Sequence, residues 1–322
     1  MEILDLRHLR SRDIEPLLEE EKSLWEKDLR WDYAPSAALI RHYIDASALP
    51  GYVAVEGGKA VGYSFYVYEN SKGLIGDVFV SDTPCSEAAE TQLLLHVIET
   101  LQAIPGILRI EAQLMNLRHQ PPIVIRNGSN FQGFRRQFMV LPLETGPALR
   151  SNSNTDFRLA GWDERWVGQA AELITIAYQG HVDSQISDQY RSIPGAMRFL
   201  ENIIHYPGCG NFDPDCSFVA LGNGSPELCG MALSAKVGPG VSHITQVCVK
   251  PQMQGAGMGR ALVCQIIQKL QEHGFAAVTL TVTSSNTGAV RLYEKLGFST
   301  LKEFHAFSWD APEPASVVLG RG

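Results

Sequence analysis

The same order of predicted secondary-structure elements occurs twice along this chain of 322 residues. Each half contains a short strand, two amphipathic helices, three strand-like runs, a longer helix and further strands, as judged from the period of its apolar residues. In the first half the early helices are predicted over Ile14–Leu29 and Pro35–Ala46, and Gly57-Gly58 marks a hairpin turn. Because the halves share little residue identity, the repeat indicates one fold used twice.

Charge and composition exclude several classes of protein. The chain has 27 Lys plus Arg and 35 Asp plus Glu, a net charge of −8, which disfavours a nucleic-acid partner bound through its phosphates. No apolar run reaches the roughly 20 residues of a membrane span, and the first residues lack a signal-peptide pattern. The six cysteines are too sparse for a disulfide framework, and none are paired at metal-ligand spacing. We expect a cytoplasmic, globular protein with no membrane partner and no metal.

A small, polar stretch with Gly and Pro divides the two halves. It predicts a first domain over residues 1–144, a linker over 145–154 and a second domain over 155–322. The mixture of strands and helices in each half predicts an α/β (α+β) architecture with a mixed sheet in each domain.

A glycine-rich turn separates a predicted strand from a predicted helix in the second half. The strand ends at Val249, Pro251 follows, and the helix predicted over Gly257–His273 has an apolar stripe at i, i+4 spacing. Glycines let a ligand approach the backbone closely, and a helix N-terminus presents unpaired N–H groups and the positive end of its dipole. The turn is therefore typical of a phosphate or pyrophosphate site.

The spacing of this turn fails two common phosphate-binding patterns. A dinucleotide fingerprint that starts at Gly255 and Gly257 requires a third glycine where Arg260 stands. An ATP-type loop requires Lys and then Ser or Thr after its last glycine, whereas Gly259 is followed by Arg260. The pattern that fits is Gln-x-x-Gly-x-Gly, formed by Gln254, Gly257 and Gly259.

A second motif follows about thirty residues later. A strand is predicted over Ala276–Thr283, Ser and Asn residues then supply helix N-cap types, and the run Asn-x-x-Ala-x-x-Leu-Tyr-x-x-Leu-Gly-Phe extends from Asn286 to Phe298. Together, and in this order, the two motifs resemble those of the GNAT N-acetyltransferase superfamily over residues 155–309. Because the order of secondary-structure elements is repeated, the resemblance extends to a tandem GNAT arrangement with a degenerate N-terminal copy.

This resemblance implies a fold and a ligand. Each of two tandem GNAT-like domains would be a mixed, mostly antiparallel sheet flanked by helices, and the sheet would open between its fourth and fifth strands to admit acetyl-CoA as co-substrate. On this chain the cofactor would contact the fourth strand, the glycine-rich turn and the second motif, at Val247, Cys248, Val249, Gln254, Gly255, Ala256, Gly257, Met258, Gly259, Arg260 and Asn286.

The resemblance also implies the catalytic residues. The superfamily usually assigns protonation of the CoA thiolate to a tyrosine at the position of Tyr293, and a phenol can protonate or hydrogen-bond a thiolate. Many members place a Glu base near the start of the fourth strand, in the register that His243 holds here. Because histidine can take a proton near neutral pH, His243 is the predicted base.

The loop after the first helix of the second half contains His181 and Asp183, which we predict to contact the acceptor, the alternative being a solvated loop. In the first half, the segment at the position of the glycine-rich turn has no glycine and two acidic residues, Asp82 and Glu87. We interpret that half as a copy that has lost its cofactor site and packs against, shapes or covers the active half.

The predicted function is therefore direct, acetyl-CoA-dependent N-acetylation by the second half. The acceptor would be a primary amine, either of a small molecule or of a peptide N-terminus or lysine. A non-enzymatic acetyl-CoA sensor is the alternative from a different class, since it would keep the glycine-rich turn but would not need Tyr293. A dinucleotide-dependent oxidoreductase is a further alternative, which the missing third glycine disfavours.

Overall fold

The structure is a computed structural model that describes residues 1–119, 130–143, 157–206, 208–224 and 226–312. It divides into two compact units. Unit 1 comprises Met1–Leu17, Tyr43–Gly133 and His305–Gly322, and unit 2 comprises Leu18–His42 and Phe134–Phe304. Within the described ranges, no helix has both the length and the apolarity that crossing a bilayer requires.

The helices in the described residues are α1 (Glu15–Leu29), α2 (Ala34–Asp45), α3 (Ser86–Ala103), α4 (Val167–Ala177), α5 (Asp183–Ile186), α6 (Ile193–His205), α7 (Met258–Glu272) and α8 (Thr287–Lys295). The strands are β1 (Glu2–Asp5), β2 (Gly51–Glu56), β3 (Lys59–Glu69), β4 (Lys72–Val80), β5 (Arg109–Leu114), β6 (Phe131–Pro142), β7 (Phe157–Gly161), β8 (Asn211–Phe212), β9 (Phe218–Gly222), β10 (Leu228–Gly238), β11 (Val241–Val249), β12 (Ala277–Thr283) and β13 (Ser299–Asp310).

In unit 1 the strand order is β1-β2-β3-β4-β5-β13, and only the β4–β5 pair is parallel. Helix α3 connects β4 to β5 and buries one face against the sheet. Its buried residues recur at helical spacing and include Leu93, Leu94, Val97 and Leu101. The crossover helix is what a parallel pair of neighbouring strands requires.

In unit 2 the strand order is β6-β12-β11-β10-β9-β7, with β8 beside β10, and only the β11–β12 pair is parallel. Helix α7 makes the crossover between these two strands. Its predicted apolar stripe is fully buried at Met258, Leu262, Ile266 and Leu270. Helices α7 and α8 share one core with the sheet, whereas α4 and α6 form a second core with the alternate residues of β9 and β10. The two cores lie on opposite faces because strand side chains alternate.

The predicted mixed α/β class with mostly antiparallel sheets is confirmed, but the units are divided differently from the predicted boundary. The strand predicted to complete the first half, β6, pairs with β12 of unit 2 from Arg136 to Pro142. The final strand of the chain, β13, ends in unit 1, where His305–Asp310 pair with β5. Residues Leu18–His42 also belong to unit 2. The predicted linker 145–154 lies outside the described residues.

The reason for this difference is physical. The apolar pattern of a strand reports which face is buried, but it does not report which neighbour accepts its hydrogen bonds. The residues Phe138 and Met139 of β6 are about 1% exposed and are apolar enough to complete either sheet. Only the long-range pairing decides that they complete the sheet of unit 2.

Candidate active site

Strands β11 and β12 separate part of the way along their length. Their parallel pairing runs only from Val241 with Ala277 to Ile244 with Leu280. Beyond this point β12 stays paired with β6 as far as Thr283, and β11 stays paired with β10 as far as Val249. The edge of β11 that faces the gap therefore has backbone polar groups available to a ligand that can pair with them like a strand.

A β-bulge bends β11 where this gap opens. Leu233 pairs with Gln246 and Ser234 pairs with Ile244, so Thr245 is the extra residue. A bulge adds local twist and changes which side chains face each side of the sheet. As a result Val247 and Val249 pack on the α7 side, while Cys248 packs on the α4 side.

The glycine-rich turn connects the open edge of β11 to the N-terminus of α7. Gly255 and Gly257 have φ angles of 79° and 85°, values at which a side chain would be strained. Gly257 is the N-cap residue, and no side chain caps the helix there. The first amides of α7 are thus left for a ligand, and the positive end of the helix dipole favours an anionic one.

Gly259 provides an independent indication of a ligand. It lies in the first turn of α7 with an ordinary φ, and an added Cβ would meet only Val249 Cγ2 at 3.8 Å and Leu292 Cδ2 at 3.9 Å. These are ordinary van der Waals distances, so neither the backbone nor the packing of the protein requires a glycine at this position. A ligand pressed against the helix N-terminus would require one.

A cavity of about 730 Å³ extends along the gap and the turn. Its rim includes three cationic side chains, Arg260, Arg291 and Lys295, which suit an anionic ligand. Further lining residues come from α4 and its following loop, β11, the turn and α8: Ala177, Tyr178, His181, Val247, Cys248, Val249, Met253, Gln254, Gly255, Gly257, Met258, Gly259, Asn286, Gly288, Ala289 and Leu292.

The structure thus brings together every residue predicted to contact the cofactor except Ala256, which does not line the cavity. His181, predicted to contact the acceptor, lines the same cavity. Asp183, Tyr293 and His243 are not among the lining residues, and each has a different environment that is described below. Among the residues that the structure describes, no three His, Cys, Asp or Glu side chains converge as a metal-ligand set.

His181 has a defined position and hydrogen-bond geometry. Its Nδ1 accepts a hydrogen bond from the backbone N–H of Asp183 at 3.1 Å, so the neutral ring carries its proton on Nε2. Nε2 lies 3.1 Å from Nδ2 of Asn286. Asn286 cannot turn its oxygen toward His181, because that oxygen caps α8 by accepting the N–H of Ala289 at 3.2 Å. Two N–H donors therefore converge beside the cavity.

Asp183 lies behind His181, in the first turn of α5. One carboxylate oxygen accepts a hydrogen bond from the hydroxyl of Thr283, at the end of β12. The other lies 3.7 Å from His181 Nδ1. The side chain is only 17% exposed, so most of its hydration is lost.

Three buried tyrosines lie within electrostatic reach of this carboxylate. Tyr178 and Tyr190 are stacked, with ring centroids 4.4 Å apart and an interplanar angle of 18°. Burial, and then the charge of Asp183 among smaller effects, raises the pKa of Tyr178, Tyr190 and Tyr293 above the ordinary tyrosine value. All three phenols are therefore protonated at neutral pH.

Tyr293 is buried rather than exposed in the cavity. It is 8% exposed, packs edge to face on Phe298 with centroids 5.8 Å apart, and belongs to the core formed with α7. Its hydroxyl makes no hydrogen bond within the described residues, although Tyr178 and Asp183 are close enough to influence it electrostatically. The phenol is thus a donor with no internal acceptor.

His243 lies outside the cavity, enclosed by aromatic residues. It stacks on Phe138 at 5.4 Å, contacts the edge of Trp31 at 5.2 Å, and its Nδ1 is 2.9 Å from Thr279 Oγ1. Burial, together with the charge of Arg136, lowers the pKa of His243 to about 3. An imidazole with so low a pKa is a poor acceptor of a proton from an ammonium group.

The structure also shows a polar residue that the sequence did not single out. Gln246 is 4% exposed, and its Nε2 has no hydrogen-bond partner within the described residues. It follows the bulge, lies on the same face of β11 as Cys248, and contributes to the environment of the Cys248 thiol. Burial raises the pKa of that thiol, which disfavours Cys248 as a thiolate nucleophile. The sequence did not reveal the position of Gln246, because the bulge at Thr245 shifts by one residue the alternation of side chains between the two faces of β11.

The arrangement matches a known protein family. Residues 185–298 match the family model of the acetyltransferase (GNAT) family. This region of the chain is therefore similar to the GNAT family. The match includes the gap, the glycine-rich turn and α8, whereas Ala177, Tyr178 and His181, which also line the cavity, precede it.

Relatives of known name resemble only part of the chain. A mycothiol acetyltransferase of Paenarthrobacter aurescens (strain TC1) is 39% identical over 92 residues, which are 27% of this chain and 28% of that protein. The [ribosomal protein bS18]-alanine N-acetyltransferase of Escherichia coli (strain K12) is 36% identical over 74 residues, 22% of this chain and 50% of that protein. The chain thus spans well under two thirds of the length of either relative.

Solved structures resemble the whole chain in fold. A tandem GNAT protein from the clavulanic acid biosynthesis pathway has a TM-score of 0.58 at 14% identity, covering 97% of this chain and 99% of its own. A GCN5-related N-acetyltransferase from Sphaerobacter thermophilus has a TM-score of 0.59 at 17% identity, covering 82% and 81%. The tandem GNAT fold is therefore shared over almost the full length.

The GNAT-like copy in unit 1 keeps the topology without the ligand-binding turn. The parallel strands β4 and β5 pair from Lys72 with Arg109 to Ile75 with Ala112. Near the N-terminus of α3, however, the carboxylate of Glu90, 2% exposed, accepts hydrogen bonds from the backbone N–H groups of Arg118 and His119 at 3.2 and 3.1 Å. A buried acid held by the chain itself at this place disfavours an anionic ligand, which supports the interpretation of a degenerate copy.

Proposed function

We propose that unit 2 transfers the acetyl group of acetyl-CoA directly to a primary amine. The observation that supports this most strongly is the continuity of one cavity, from the unpaired edge of β11 to the uncapped N-terminus of α7. An acyl-CoA has the complementary sequence of groups, with amides that can pair with a strand edge and a pyrophosphate that suits a helix N-terminus.

The residues present fit each part of this ligand. The backbone of Val247 to Val249 would pair with pantetheine, and the amides from Gly255 to Arg260 would hold the pyrophosphate, since the Gln254 N–H already donates to the carbonyl of Pro251. The absence of a side chain at Gly259 leaves room for the phosphate oxygens. Arg260, Arg291 and Lys295 would neutralise the remaining phosphate charge.

The reaction requires the acceptor nitrogen to lose two protons. The neutral amine forms a C–N bond at the thioester carbonyl, and the C–S bond then breaks with its electron pair moving to sulfur. One proton from nitrogen ends on the CoA sulfur and the other reaches solvent, so that an ammonium and acetyl-CoA give an amide, CoA and one proton. The buried, protonated thiol of Cys248 disfavours an acyl-enzyme, which this direct route does not need.

We assign roles on the basis of these positions. His181 and Asn286 present two donors to an oxygen of the bound thioester or pantetheine. Tyr293, whose hydroxyl has no internal acceptor in the described residues, hydrogen-bonds to the departing thiolate. His243 does not serve as the base, because its pKa is about 3 and it does not line the cavity; it packs against Phe138 and Trp31 instead.

The test is the release of CoA from acetyl-CoA with a panel of primary amines, using the full chain and Tyr293→Phe in parallel. We expect turnover with at least one amine, and a loss of roughly tenfold or more in kcat for Tyr293→Phe with CoA affinity unchanged. Tight CoA binding without turnover on any amine would instead favour an acetyl-CoA sensor. Unchanged kcat in Tyr293→Phe would remove Tyr293 from the mechanism.

A further inference from the structure

The carboxylate of Asp183 has lost most of its water without gaining a cationic partner. Its polar contacts are the Thr283 hydroxyl and the ring of His181. Since His181 accepts the Asp183 backbone N–H on Nδ1, the neutral ring offers the carboxylate no proton at that nitrogen. No Lys or Arg side chain forms an ion pair with Asp183 in the described part of the chain. Such a carboxylate favours binding of a cation, because an uncompensated buried charge is costly.

The surroundings of Asp183 suit an organic cation rather than a metal ion. Tyr178 packs edge to face on the ring of His181 at 5.1 Å, and Tyr190 stacks on Tyr178, so aromatic rings border the segment that carries Asp183; an aromatic face left uncovered by this stacking attracts an ammonium group. A metal ion would need further charged or carbonyl ligands, and no cluster of three His, Cys, Asp or Glu forms in the described residues.

This position also adjoins the reacting end of the proposed cofactor. His181, whose Nδ1 accepts the Asp183 backbone N–H, lines the cavity beside Asn286. Tyr178 lines the cavity too, and its hydroxyl donates to the carbonyl of Val247 at 3.4 Å. The Nε2 of Gln246, a buried donor without a partner in the described residues, lies on the same face of β11 and can hydrogen-bond an oxygen of a second ligand.

We propose that Asp183 binds the ammonium group of the acceptor against Tyr178 and Tyr190, and takes its first proton. The proposal rests on the proposed function and names its acceptor class, which is a primary amine that is cationic at neutral pH. The proton moves from R–NH3+ to the carboxylate, giving R–NH2 and a neutral Asp183. The nitrogen lone pair then forms the C–N bond, and Asp183 later releases the proton to solvent.

Binding and turnover are measured separately to test this assignment. Full-length protein saturated with CoA is titrated by calorimetry with butylammonium, phenethylammonium and glucosamine, and with their uncharged counterparts butanol, phenethyl alcohol and glucose. The same amines are then assayed for CoA release from acetyl-CoA. The variant is Asp183→Asn, which keeps an oxygen for the Thr283 hydroxyl, and the control for lost charge is the exposed Asp215→Asn.

We expect the wild type to bind at least one ammonium compound tenfold or more tightly than its alcohol counterpart or, for glucosamine, than glucose. Asp183→Asn should lose that difference and raise the KM for the amine tenfold or more, while its melting temperature and CoA affinity stay at the values of Asp215→Asn. A wild type that binds ammonium compounds no better than the alcohols overturns the assignment, as does an unchanged KM and kcat in Asp183→Asn.

The outcomes separate this proposal from the proposed function. Ammonium binding that depends on Asp183 without any acetyl transfer would support the site and refute the acetyltransferase. Acetyl transfer that is indifferent to Asp183→Asn would support the acetyltransferase and refute the role of Asp183.

Discussion

The side-chain nitrogen of Asn286 lies 3.1 Å from Nε2 of His181, and both atoms carry hydrogen. Each is fixed from behind, Asn286 by capping α8 and His181 by accepting the N–H of Asp183. The protein therefore holds these two nitrogen atoms in fixed positions beside the cavity, where they can donate to an oxygen of a ligand. Such preorganised donors are the usual way in which enzymes stabilise a carbonyl oxygen that gains charge.

If His181 acts as a hydrogen-bond donor, a side-chain amide at the same position should preserve its function. We expect His181→Ala to lower kcat/KM for acetyl-CoA by roughly ten- to a hundredfold. His181→Gln, which keeps an N–H at a similar reach, should stay within about fivefold of the wild type and preserve the acid limb of the pH profile. A His181→Gln enzyme as inactive as His181→Ala would indicate that His181 is a base.

Gly259 should be dispensable for folding and required for cofactor binding. Gly259→Ala is expected to raise the free energy of unfolding by about 0.5–1 kcal/mol, because alanine favours the helix and its Cβ meets only ordinary contacts. CoA affinity, measured by calorimetry, should fall tenfold or more. Gly168→Ala is the matched control: it lies in the first turn of α4, has open space around its Cβ, and does not line the cavity. Equal CoA affinity in both variants would place the phosphates elsewhere.

The fragment 155–322 should not fold as a stable unit. It lacks β6, which pairs with β12 from Arg136 to Pro142, and it lacks Trp31, which covers His243. We expect no cooperative thermal transition by circular dichroism and no CoA binding. Co-expression with residues 1–143 should restore both, since it supplies the missing strand. A fragment that melts cooperatively and binds CoA like the full chain would mean that the first half has no essential role.

His243 should make stability dependent on pH. Its pKa is about 3 in the folded protein and near 6.5 when unfolded, so the unfolded chain binds the extra proton between these values. Stability is therefore lost as pH falls below about 6.5, by about 2 kcal/mol between pH 7.5 and 5. His243→Phe keeps the aromatic stacking and should remove that component in urea unfolding at the two pH values. An identical pH dependence in wild type and variant would contradict the buried, neutral state.

The sequence was informative where chemistry is local. The spacing of Gln254, Gly257 and Gly259 predicts a strand-to-helix turn that binds phosphate, because glycine conformation and helix dipoles act over one turn. The structure places these residues along one cavity, together with Asn286 from the second motif. The interpretation of the first half as a copy without a cofactor site also used local features only, namely the acidic residues and the missing glycines before α3.

The sequence was misleading where packing decides. His243 has the register of a base, but Phe138 and Trp31, which are distant in sequence, enclose it and lower its pKa. The sequence places Asp183 in a polar loop typical of solvent exposure, yet the hydroxyl of Thr283, 100 positions away, donates a hydrogen bond to its carboxylate. Neither environment can be inferred from neighbours along the chain, since desolvation depends on every element that packs against a group.

By itself the sequence determined that the chain is a tandem mixed α/β protein, and it predicts a helix-terminus anion site in the second half. The glycines, the strand alternation and the helix stripes are properties of short segments, and they hold in any tertiary setting. Only the tertiary structure decided that β6 completes the sheet of unit 2, that His243 is excluded from the cavity, and that Asp183 is buried among tyrosines. These features depend on contacts between distant segments, which form only when the whole chain packs.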